Sequence, residues 1–107
     1  MPEQIDSILH DLRDRLASLY GGRLNRVVLF GSQARQDANA GSDIDVLVVL
    51  NGQVLPTREI ARTGALVAEL SLHYAAVISC TFVSADRYAE EESPLLMNVR
   101  REGRIVA

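Results

Sequence analysis

No lysine occurs among the 107 residues; all eleven cationic side chains are arginine. Schiff-base chemistry and the phosphate-binding lysine of a P-loop are therefore excluded. A lone cysteine, Cys80, cannot form an internal disulfide, and with two scattered histidines, His10 and His73, it makes no zinc site. A reducing, cytoplasmic setting is the expectation. Tryptophan is absent and five aromatic rings are spread along the chain, which argues against a base-stacking platform for single strands. Fourteen acidic side chains against eleven basic ones give a net charge of −3, so nucleic acid is not expected as the main partner. No apolar run reaches the ~18 residues of a membrane span, and Met1-Pro2-Glu3-Gln4 lacks the basic and apolar regions of a leader, so neither membrane nor secretion is expected.

What remains has the composition of a globular protein, 48% apolar and 23% charged, with length for one domain over residues 1–107. Ile5, Ile8, Leu9, Leu12, Leu16 and Leu19 recur at helical spacing, and Gly21-Gly22 closes that helix. A strand follows from Leu24 to Phe30, apolar on both faces around Val27-Val28-Leu29. Gly31 to Arg35 reads as a turn opening a brief helix with Ser32 as its cap, and the polar stretch 36–42 leads to a second strand, Asp43 to Leu50. Helical spacing returns from Thr57 to Tyr74 through Ile60, Ala61, Val67, Ala68 and Leu70, with Gly64 a weak point. A third strand is expected over Ala76 to Val83. Ser84 then caps a short turn running into Glu90-Glu91-Glu92, and Ser93-Pro94 starts a last helix with Leu95, Leu96 and Val99 inward. Gly103 ends it before a tail or short edge strand.

The chemistry concentrates at the second strand. Asp43 and Asp45 stand two apart, so their carboxylates leave one face while Ile44 and Val46 leave the other. Like charges so close need water or a cation, and Mg²⁺ commonly uses one or two carboxylates together with substrate phosphates. Gly31-Ser32, where a strand gives way to a helix start, offers exposed amides and a hydroxyl suited to phosphate. For both groups to meet one nucleoside triphosphate, the first two strands must be antiparallel neighbours.

Phe30-Gly31-Ser32-Gln33-Ala34-Arg35, with Ser42-Asp43-Ile44-Asp45-Val46 ten residues after Ser32, closely resembles the minimal nucleotidyltransferases of the DNA polymerase β-like superfamily. The resemblance implies an α+β palm fold, a small mixed sheet of three or four strands flanked by helices. It implies transfer of a nucleotidyl group from an Mg²⁺-bound triphosphate, ATP by preference, to an acceptor hydroxyl. By that resemblance Gly31 and Ser32 would hold the triphosphate, and Asp43 and Asp45 would bind metal and act in catalysis; Arg35, one turn into the short helix, is placed equally to steady the triphosphate or to pair with Asp37. Short members are often paired with a HEPN-domain protein in toxin–antitoxin modules, where a partner tyrosine is modified.

One departure bears on activity. Active members place a third carboxylate on the next strand, and here that strand reads Ala76-Val77-Ile78-Ser79-Cys80-Thr81-Phe82-Val83, with Ser79 or Thr81 in its place. A noncatalytic subunit that binds nucleotide or a partner is therefore the alternative expectation. Homo- or hetero-oligomers fit either reading. Ser42 reads as a turn cap, Arg100, Arg101 and Arg104 as solvated helix ends, Cys80 as a small strand residue, and the three glutamates as a solvated helix face.

Overall fold

The computed structural model describes residues 2–35 and 43–106, with the side chains of Pro2, Glu3, Ser32 and Arg35 outside the description. Its elements are α1 (Pro2–Tyr20), a 3₁₀ turn (Gly21–Arg23), β1 (Leu24–Phe30), α2 (Ser32–Arg35), β2 (Ile44–Leu50), α3 (Pro56–Tyr74), β3 (Ile78–Ser84), α4 (Ala85–Glu90), α5 (Pro94–Glu102) and β4 (Arg104–Ile105). Four strands form one mixed sheet in the order β3-β2-β1-β4. β1 is antiparallel to both β2 and β4, and β2 is parallel to β3. Joining two parallel neighbours requires a crossover, which α3 supplies. This is the α+β sheet-and-helix architecture that the sequence led us to expect.

Period-two alternation sorts the strands onto two packed faces. Val27, Leu29, Ile44, Val46, Val48, Leu50, Ile78 and Phe82 meet α1 and α3 on one face, joined by Ile8, Leu9, Leu12 and Leu16. Val28, Leu47, Val49 and Val83 meet Leu96 and Val99 of α5 on the other. The central strands are apolar on both sides because helices cover both sides. Ser84 and Ser93 each cap the following helix, accepting from the amides of Arg87 and Leu96. β4 is the short edge strand that the tail allowed.

Several inward assignments need correction. Leu19, Ile60 and Leu95 are exposed, and Ala61 is exposed as well. On α3 the inward stripe instead runs through Glu59, Thr63, Leu66 and Leu70, one helical face further round. A charged residue leads that stripe because it is met by partners: Tyr20 Oη donates to Glu59 at 2.6 Å, and Arg23 and Arg62 lie 3.4 and 3.6 Å away. Of the three glutamates only Glu90 is helical; Glu91 leaves α4 in extended backbone and pairs with Arg87 at 2.8 Å.

The arginines near the carboxyl end serve as separate staples. Arg100 donates to the carbonyls of Tyr88 and Glu91 at 2.6 and 2.7 Å, Arg101 to Asn98, and Arg104 to Asp6 at 2.8 Å. Among the described residues no helix is long and apolar enough to cross a membrane.

Candidate functional site

The β1–β2 ladder pairs Phe30 with Asp45, so the residue that leaves β1, Gly31, lies beside the second residue of β2. Gly31 has φ +75°, the left-handed region that side chains resist. A Cβ placed there would stand 2.6 Å from Asp45 Oδ2. The carboxylate thus lies directly over the backbone of the turn, with no hydrocarbon between them. Ser32 begins α2 rather than preceding it, so Gly31 occupies the flanking position, and its carbonyl accepts from the Ala34 amide at 3.2 Å. Arg35 ends this short helix. The side chains of Ser32 and Arg35, and the residues Asp37 and Ser42, lie outside the description, so their expected roles remain proposals.

Asp43 is exposed immediately before β2, and Asp45 is half-buried within it. Burial first, and then the charge of Asp43, push the Asp45 carboxyl above its ordinary range. Both causes would be relieved by a cation shared between the two acids. The donors suit a hard divalent ion: two carboxylates two residues apart, close enough for one charge to act on the other, and one of them open to solvent. Among the described residues no cluster of three or more potential metal ligands occurs.

The parallel β2–β3 ladder decides between the two hydroxyl residues of β3. Asp45 is paired with Ser79, whereas Thr81 is paired with Leu47, further from the turn. Pairing register of this kind is invisible in the sequence, where Ser79 and Thr81 are equally placed. Cys80 points to the opposite side, into the core under α3, and burial pushes its thiol up to about 12, so it is no nucleophile near neutrality.

Because Gly31 combines a positive φ with a close approach, Gly31→Ala is expected to cost about 1–2 kcal/mol and to displace the Asp45 side chain. Urea denaturation monitored by circular dichroism measures the first effect. A change in the Asp45 side-chain carbon shift reports the second.

Comparisons with known proteins bear on this geometry. Residues 9–96 match the nucleotidyltransferase domain family. Two proteins of Methanocaldococcus jannaschii, each named "Putative protein adenylyltransferase", are similar in sequence. The first is 31% identical over 102 residues, covering 94% of this chain and 96% of its own; the second is 32% identical over 77 residues, covering 71% and 76%. Among solved structures, a toxin–antitoxin complex with AMP-PNP superposes with a TM-score of 0.65 at 19% identity, over 92% of this chain and 72% of the other. A mutant MntA–HpeT toxin–antitoxin complex, with two aspartates two positions apart changed to glutamate, gives 0.61 at 19% identity, over 90% and 70%. At such identity the structures establish a shared fold.

Proposed function

This chain belongs to the nucleotidyltransferase domain family, and from that premise we propose that it transfers AMP from Mg²⁺-bound ATP to a hydroxyl of a protein partner. The observation that carries the reading is the placement of the Asp45 carboxylate against the Gly31 turn, with Asp43 two residues before it and near enough for its charge to act on Asp45. Adenylyl as the group, and protein as the acceptor, are favoured by the names of the two sequence relatives. A toxin-like partner, of the HEPN type that the sequence resemblance implies, is favoured by the complexes that share the fold.

In this reading Asp43 and Asp45 hold the metal, which supplies charge neutralisation at the phosphates. The Gly31 and Ser32 amides hold the β and γ phosphates, since a glycine turn lets the backbone approach them closely. Arg35, at the end of α2, steadies the triphosphate. The acceptor oxygen forms a bond to the α phosphorus as the bond to the bridging oxygen breaks. Pyrophosphate leaves, and the hydroxyl proton passes to water. The chain contributes orientation and charge, the two effects on which catalysis of phosphoryl-group chemistry chiefly depends.

Incubation with α-labelled ATP, Mg²⁺ and the candidate partner tests this directly. Label on the partner that depends on Asp43 supports the transferase; nucleotide binding without transfer supports the noncatalytic subunit. That second reading is favoured by one observation, the neutral Ser79 beside Asp45. Ser79→Asp supplies a third carboxylate at that position. The Mg²⁺ concentration at half-maximal transfer is expected to fall about tenfold in this variant, equivalent to ~1.4 kcal/mol. A magnesium titration of the labelling rate measures it.

A further inference from the structure

The two edges of the sheet are unlike: β4 is two residues long, whereas β3 is seven residues long and carries neither charge nor proline. The usual devices that blunt an edge are missing from β3. The Ile44 amide donates to the Val77 carbonyl at 2.8 Å. Alternation along a strand then turns the main-chain groups of Ser79, Thr81 and Val83 toward β2, and those of Ile78, Cys80 and Phe82 outward. Among the described residues nothing pairs with that outward row.

Above the same edge runs an apolar groove of about 390 Å³ between β3 and α3. Ile60, Gly64, Ala68 and Leu72 recur every four residues and so form one stripe along α3. Ile60 is 56% and Leu72 83% exposed. Gly64 stands in the middle of this helix, where glycine costs ~1 kcal/mol relative to alanine. A Cβ on Gly64 would meet nothing within 4 Å, so no contact inside the chain calls for glycine.

We propose that this edge is a two-fold interface between two copies of the chain, in which β3 pairs antiparallel with β3 and α3 packs against α3. A two-fold axis through Thr81, perpendicular to the sheet, overlaps the whole strand and sets Cys80 opposite Phe82 and Ile78 opposite Ser84. The same operation brings both α3 helices to one side of the extended sheet, stripe facing stripe, with the small residues Gly64 and Ala68 where the helices come closest. A helix or a small apolar molecule in the groove would leave the outward amides and carbonyls unpaired; a strand satisfies them. The strand is roughly 23 Å long at ~3.3 Å per residue, and sheet plus helix layer are roughly 20 Å deep. In projection that footprint is about 460 Å² per partner, at the low end for specific association, so the dimer is expected to be reversible and concentration-dependent.

Sedimentation equilibrium of the full chain is expected to show a dimer. Ala68→Glu, at an exposed position, should weaken association at least about a hundredfold by burying a charge, with an unchanged circular dichroism spectrum. Thr81→Cys in a Cys80→Ala background should form an interchain disulfide on oxidation, because residue 81 meets its own copy on the axis. A wild-type chain that stays monomeric, whatever other protein its groove accepts, overturns the proposal. So does a dimer indifferent to Ala68→Glu; if that variant fails to fold, absence of the Thr81→Cys cross-link overturns it.

Discussion

Asp45→Asn is expected to lower transfer of labelled AMP by at least ~10³-fold, about 4 kcal/mol of transition-state stabilisation, while leaving the chain folded. Asparagine keeps the shape and removes the charge. The half-buried carboxylate, over Gly31 and two residues from Asp43, is the group best placed to bind a cation between strand and turn. Its raised pKa in the absence of a cation means that it gains more from one than a solvated acid does. Removing it should also relieve repulsion with Asp43, so stability without metal should hold or rise slightly. Activity falling while thermal stability stays level is the signature of a site residue; a fall in both would mean that Asp45 serves the fold.

The second large effect lies at the opposite end of the sheet, where Leu24 meets Leu50. Glu59 is buried there and links α1, the 3₁₀ turn and α3 through Tyr20, Arg23 and Arg62. Glu59→Ala leaves the Tyr20 hydroxyl without its acceptor and opens a void. Arg23 and Arg62 are partly exposed and regain water, so the expected loss is about 2–3 kcal/mol rather than the upper end for a buried pair. For a domain of this size that lowers the melting temperature by roughly 10–20 °C.

The pH dependence follows from the same contacts. Burial raises the Glu59 pKa, but the Tyr20 hydrogen bond and the Arg62 and Arg23 charges outweigh it and hold the carboxyl below its ordinary range. A carboxyl lowered on folding stabilises fully above its unfolded pKa, and the contribution is lost as pH falls through the lowered value. The stability difference between wild type and Glu59→Gln should therefore be constant near neutrality and shrink under acid. Urea midpoints across that range measure it.

Much of this molecule was legible from side-chain pattern alone. β1 runs from Leu24 to Phe30 as the apolar run indicates, and β2 begins one residue after its expected start, because a strand buried on both faces leaves an unbroken hydrophobic signature; β3, interrupted by Ser79 and the exposed Thr81, begins two residues after its expected start. Capping serines announced α4 and α5. The antiparallel juxtaposition of Gly31 and Asp45 was legible too, since it follows from requiring one ligand to meet both. What stayed hidden depends on distant partners. Nothing in the sequence pattern singles out Glu59, whose buried place depends on Tyr20, thirty-nine residues away, donating to it. Ile60 and Leu95 read as core because hydrophobicity does not reveal which side of a helix faces its own sheet. Ser79 separates from Thr81 only through the β2–β3 register.

Titration calorimetry of ATP into the chain, with and without Mg²⁺, probes the metal-bridged site without requiring an acceptor. Binding should depend on Mg²⁺ and be abolished by chelation and by the double change Asp43→Asn with Asp45→Asn. ATP binding that is indifferent to the metal and to both aspartates, or no binding at all, would mean that the two acids and the Gly31 turn do not form a nucleotide site.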